Sequence, residues 1–131
     1  MSVTPLYVAV VLNSESRLRL CRWFPAKALL EKLFAHHMTV TFRPTLEEFE
    51  KLPINQGVFL KVIGYAQDEH VQAVAVMGFP SSNAIPHITV ATDGTPPKAS
   101  NDLLAKGFTL IDGPTLLGRV LSQPSQPKGD D

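Results

Sequence analysis

A chain of 131 residues with 44% hydrophobic content carries enough apolar material for one core, so one compact domain is expected. Twelve basic residues balance twelve acidic ones, which excludes the global positive field that holds a protein along a nucleic acid or on an anionic membrane. Any nucleic acid is therefore expected to be recognised locally.

The charges are unevenly placed. Residues 1–45 carry six Lys/Arg and two acids, and residues 46–80 carry five acids and two Lys, so one end of the molecule is expected to be locally basic. Cys21, the single cysteine, cannot form an internal disulfide, and the N-terminus has neither the charged nor the apolar segment of a signal peptide. No apolar run approaches the roughly 20 residues of a membrane span. These features predict a soluble intracellular protein, cytoplasmic or nuclear.

In chain order, "LYVAVVLN" (6–13) is a β-branched apolar run ended by Asn-Ser and predicts a buried strand. Ser14 or Ser16 is the expected cap of a helix through "RLRLCRWF". "AKALLEKLF", after Pro25, puts Leu29, Leu30 and Leu33 on one stripe and predicts a helical or loop segment. "HMTVTF" alternates His37, Thr39 and Thr41 with Met38, Val40 and Phe42, the period of a half-buried strand with its apolar set toward the core.

"TLEEFEKL" predicts a short helix stopped by Pro53, and "GVFLKVIGYA" and "HVQAVAVMGF" flank "QDE" as a hairpin. "SSNAIP" is a loop, "HITVAT" repeats the alternation, and "DGTPPKASN" is dense in turn formers before a helix over 101–106 ended by Gly107. "PTLLGRVL" supplies a last strand. The domain is expected over residues 1–121, with polar, Pro-bearing residues 122–131 as a disordered tail.

The internal repeat is a pair of four-residue segments, "HMTV" (37–40) and "HITV" (87–90), fifty residues apart. Along a strand, residues i and i+2 project from one face about 6.6 Å apart, so His37 shares a face with Thr39, and His87 with Thr89. Two such strands side by side would bring two imidazoles and two hydroxyls to one polar groove. Cleaving a phosphodiester needs a base for the attacking oxygen and an acid for the leaving one. Histidine, with a pKa near 6.5, serves as either, each worth about 10²- to 10⁴-fold. Threonine hydroxyls can bond the non-bridging oxygens. The scheme requires no metal and no cofactor.

The two segments match the His-hydrophobic-Ser/Thr-hydrophobic signature of the two-histidine (2H) phosphoesterases. With "AHHMTVTF", "GVFLKVIGYAQDEHVQAVAV" and "PHITVATDGTPPKASNDLL" around them, residues 5–121 resemble the compact RNA-repair type, similar to the cyclic phosphodiesterase module of fungal and plant tRNA ligases. The resemblance implies an α+β, bilobed fold whose antiparallel sheets form a central groove. It implies hydrolysis of a 2',3'-cyclic phosphate on an RNA 3' end or a cyclic nucleotide, to a 2'-phosphate in tRNA-ligase-like members. His37 and His87 would be the catalytic pair, and Thr39 and Thr89 the phosphate-binding residues. A separate RNA ligase or kinase is the partner it suggests. The alternatives are a 3'-exonuclease or 2'-5' RNA ligase/phosphodiesterase on the same fold, and a non-catalytic RNA-end or nucleotide binding module.

Lys98, Ser100 and Asn101 are candidate substrate contacts, where a helix N-terminus would favour an anion. A metal site from His36, His37, His87 and Asp93 is disfavoured: adjacent histidines in a strand point to opposite faces, and threonine is a poor zinc ligand. On the same alternation His36 is expected to face away from His37, packing or capping a turn, the alternative being a role in tuning His37. His70 is expected to be an exposed hairpin residue, Arg43 and Lys61 solvated, and Phe42, Phe79 and Cys21 part of the core.

Overall fold

The computed structural model describes residues 5–123. Eight strands and three helices follow one another as β1 (Tyr7–Leu12), α1 (Ser14–Trp23), β2 (Lys32–Leu33), β3 (His37–Phe42), α2 (Leu46–Glu50), β4 (Gly57–Gln67), β5 (Val71–Met77), β6 (His87–Thr92), α3 (Ala99–Ala105), β7 (Thr109–Leu110) and β8 (Thr115–Gln123).

Every strand pairing is antiparallel, in the order β6-β3-β1-β8-β4-β5, and β5 pairs again with β6. Six strands thus close into one barrel, with β2 and β7 added on β6 and β4. The α+β antiparallel expectation holds at that level. The sheets are not two separate lobes here, because β6 bonds on both edges and leaves no open border between them. Val8, Val10, Met38, Val40, Leu60, Val62, Val74, Ile88, Val90, Leu116 and Val120 fill the interior. Their strand-alternate neighbours face outward.

Local chemistry accounts for most elements. Asn13, not Ser14 or Ser16, caps α1 by accepting from the backbone N–H of Ser16, whose own hydroxyl is buried and accepts from Leu117 N. Thr45 and Glu48 close a reciprocal capping box on α2. Gly107 ends α3 with φ 121°, a left-handed position that suits glycine. On the outer wall, Leu104 of α3 packs on Ala66 and Ala73 with Phe108 beside it, and a Cβ on Gly64 would lie 2.3 Å from that phenyl ring.

Of the helical or loop segment expected after Pro25, the loop is what forms: buried Gln72 accepts from Leu30 N and donates to Ala28 O, and β2 follows on the edge of β6. Tertiary bonds override helical propensity there. The last strand runs past the expected boundary, pairing Gln123 with Tyr7 and Ser122 with Val8. The rest of the expected tail, 124–131, lies outside the described residues. No helix among the described residues is long and apolar enough to cross a membrane.

Candidate active site

The two repeats lie on adjacent strands, at the narrowest seam of the barrel. β3 and β6 share the single ladder pair Met38↔Ile88, and both of these side chains are fully buried in the interior. Continuing that antiparallel register by one residue each way sets His37 across from Thr89 and Thr39 across from His87. The histidines therefore sit on one diagonal and the threonines on the other, on the outer face. All four line one cavity of about 470 Å³ with Lys98 and Asn101.

His87 is 8% exposed, and its Nδ1 lies 2.8 Å from the carbonyl oxygen of Ile85. A carbonyl only accepts, so Nδ1 carries the hydrogen and Nε2 is left for the cavity with its lone pair. Burial pushes the pKa of His87 down, and the carbonyl contact partly offsets this.

His37 is packed against Tyr7, with ring centroids 5.3 Å apart. Its Nδ1 lies 3.0 Å from Nδ1 of His36. Burial, then the nearby His36 and His87, push its pKa down to about 4. His36 is lowered by burial and by Arg17. At neutral pH the free cavity therefore holds neutral imidazoles.

The threonines differ. Thr39 has no side-chain hydrogen bond among the described residues; its carbonyl accepts from Ser81 Oγ at 2.6 Å, which anchors the loop carrying Asn83 onto β3. Thr89 Oγ1 lies 2.7 Å from the hydroxyl of fully buried Ser100 and donates to Pro97 O at 3.3 Å. Ser100, a candidate contact, does not line the cavity: it stands behind Thr89 and holds it. The α3 N-terminus is not free for an anion either. Ala99, Ser100 and Asn101 donate their N–H groups to the carbonyls of Pro96, Pro97 and Lys98.

Strand alternation misplaced two residues. His36 does not face away from His37; both line the cavity. Between Leu33↔Ala91 and Met38↔Ile88 the chain advances five residues on one side and three on the other, so two extra residues bulge out just ahead of β3. Ala35 takes φ 49° there, fully buried, and Arg17 of α1 clamps the bulge through Phe34 O (2.8 Å) and Ala35 O (3.1 Å). Phe42, expected in the core, is exposed and lines the cavity with Phe34 and Asn83. A second bulge explains it: Ala9 faces Thr39 but Val8 faces Thr41, so Val40 is an additional residue and the alternation inverts beyond it. Phe79 does pack on the core, partly buried, and so does Cys21.

The remaining singled-out residues lie apart. His70 is exposed and bonds Asp93 at 2.7 Å; Thr95 also bonds Asp93, and together they hold that carboxyl well below the usual range. Lys61 pairs with Asp112 at 2.5 Å and donates to Gly113 O. Arg43 is exposed, 5.2 Å over the Phe42 ring. Among the described residues, no three His, Cys, Asp or Glu side chains stand close enough together to hold a metal ion.

A family model described as the fungal tRNA ligase phosphodiesterase domain matches residues 26–115, which span both repeats and the hairpin between them. No curated protein matches the chain.

Proposed function

The chain belongs to the fungal tRNA ligase phosphodiesterase domain family, whose general activity is that of a cyclic phosphodiesterase, and from that membership we propose that it hydrolyses 2',3'-cyclic phosphates by paired-histidine catalysis. The observation that carries this reading is the placement of His37, His87, Thr39 and Thr89 around one cavity large enough for a nucleotide's phosphate and ribose. In the same reading the barrel is a compacted form of the two-lobed 2H arrangement. β3 and β6 stand for the two lobes, and the cavity over their seam stands for the groove.

The tautomer of His87 supports its role as the base. Its Nε2 lone pair takes a proton from water as the water oxygen attacks phosphorus. His37 is the acid: the bond from phosphorus to the 3'-oxygen breaks, and the His37 Nε2 proton passes to that oxygen, leaving a 2'-phosphate. Thr39 donates to a non-bridging oxygen, and Thr89 does so after turning from Pro97 O. Lys98 and Asn101 at the rim meet the rest of the substrate, an RNA 3' end or a cyclic nucleotide. The exposed ring of Phe42 offers a face on which a base can stack. Every group in this scheme is a side chain of the chain itself, and no metal or cofactor enters.

The test is incubation of a short RNA ending in 2',3'-cyclic phosphate with the protein and a chelator, followed by identification of the terminus. A 2'-phosphate supports the reading. Shortened or joined RNA points to an exonuclease or a 2'-5' ligase, and tight binding without product points to a binding module; either outcome overturns it.

A further inference from the structure

The His36–His37 contact has no counterpart in the second repeat. The two Nδ1 atoms lie 3.0 Å apart, with the rings 84° from coplanar. At that length one hydrogen lies between them, since two lone pairs or two N–H groups would repel. If His37 held it, the Nε2 atoms of His37 and His87 would both be lone pairs, giving a cavity with two bases and no acid. If His36 holds it, Nε2 of His37 carries a hydrogen and faces the His87 base. Only this arrangement supplies the donor and acceptor that the hydrolysis requires.

We infer that His36 and His37 form a proton-sharing pair, in which His36 is a positioning residue that supplies the proton His37 delivers to the leaving oxygen. The inference rests on the cyclic phosphodiesterase reading and deepens it at the same site. In the loaded state the pair holds one extra proton: His36 is protonated on both nitrogens and His37 on Nε2. As the bond from phosphorus to the 3'-oxygen breaks, the Nε2 proton of His37 goes to that oxygen, and the Nδ1 proton of His36 passes to Nδ1 of His37. Both rings end neutral, His36 keeping Nε2–H and His37 holding Nδ1–H. No imidazolate forms, which a neutral His37 acting alone could not avoid.

The fold builds this contact deliberately. The left-handed Ala35 turns His36 toward the cavity, Arg17 holds the carbonyls on either side of that turn, and Leu12 N fixes His36 O at 2.9 Å. The groups that face the pair disfavour its extra proton while the cavity is empty. Burial of both rings opposes it first, Arg17 from α1 repels it, Lys98 adds positive charge at the rim, His87 from β6 faces it as a neutral base, and Tyr7 from β1, its hydroxyl pKa raised by burial, stays neutral. A phosphate anion in the cavity reverses that balance, so the pair loads as the substrate binds.

The test combines histidine ¹⁵N NMR titrations, with and without inorganic phosphate, and pH-rate profiles on 2',3'-cyclic AMP, for the wild type and His36→Gln. Gln keeps a hydrogen bond but cannot titrate. In the wild type, His36 and His37 are expected to titrate as one coupled pair whose apparent pKa rises with phosphate. In His36→Gln the His37 pKa should rise in the free protein, because a repelling charge is gone. Its kcat should fall about tenfold or more, with the acid limb of the profile displaced. An unchanged His37 titration, or full kcat with an unmoved profile, overturns the pair and leaves the phosphodiesterase reading intact. Coupled titration in a wild type that hydrolyses nothing overturns that reading and the delivery step, while leaving the contact itself established.

Discussion

On β3 the histidine leans on a second histidine, His36, and its threonine hydroxyl has no side-chain partner among the described residues. On β6 the histidine donates to the Ile85 carbonyl and its threonine is tied to buried Ser100. The same four-residue pattern therefore yields two different chemical settings. On the β6 arm a carbonyl sets the tautomer and leaves a lone pair for the cavity. On the β3 arm the partner is another titrating ring, which is what the inferred proton-sharing pair requires. In the proposed scheme, an internal repeat in sequence becomes a division of labour between base and acid.

The largest expected effect of breaking the comparison comes from removing either imidazole. His37→Ala and His87→Ala should each lower kcat on a 2',3'-cyclic phosphate by about 10³-fold or more, with the fold retained by circular dichroism. Wild-type turnover in the double variant would sink the assignment of both.

The threonines sharpen it next. Thr39→Val should cost about 10²-fold in kcat/KM with little change in unfolding free energy, because its hydroxyl serves only the cavity. Thr89→Val strands the Ser100 hydroxyl in the interior, so it should also lose about 1–3 kcal/mol in urea denaturation. Equal stability losses in the two variants would remove the distinction between the arms.

Stability should also depend on pH in a way that belongs mainly to β3. Folding lowers the His37 pKa from near 6.5 to about 4, so the unfolded chain binds more protons in that window. The contribution is whole above about pH 6.5, is lost as pH falls toward 4, and amounts to about 3 kcal/mol at most. The lowered pKa of His87 acts in the same direction. Urea midpoints between pH 7 and 4.5 should show the fall, and His37→Gln should flatten it. The smallest effect is expected at His70, whose bond to Asp93 lies outside the cavity: His70→Asn should leave kcat and KM within about twofold.

Much of this was legible in the sequence, for reasons of short-range chemistry. The alternation in "HMTV" and "HITV" separates Met38, Val40, Ile88 and Val90, all in the core, from the His and Thr residues that line the cavity. The 57–77 hairpin and the Gly107 stop follow from turn and capping preferences. What failed was alternation carried past its range. His36 sits inside the two-residue bulge ahead of β3, next to the left-handed Ala35, and Phe42 sits just beyond the one-residue bulge at Val40, which inverts the faces.

The sequence by itself determined which residue types could meet: it set two His-Thr faces on strands with apolar backs, because side-chain direction within a regular strand is a two-residue property. Only the tertiary structure decided that the strands would be neighbours across the seam of a closed barrel, that Arg17 would hold Ala35 in a left-handed turn, and that His36 would join the cavity. Those outcomes depend on the register of β1 and β6 against β3, which is set by partners far along the chain and is not encoded in any local stretch.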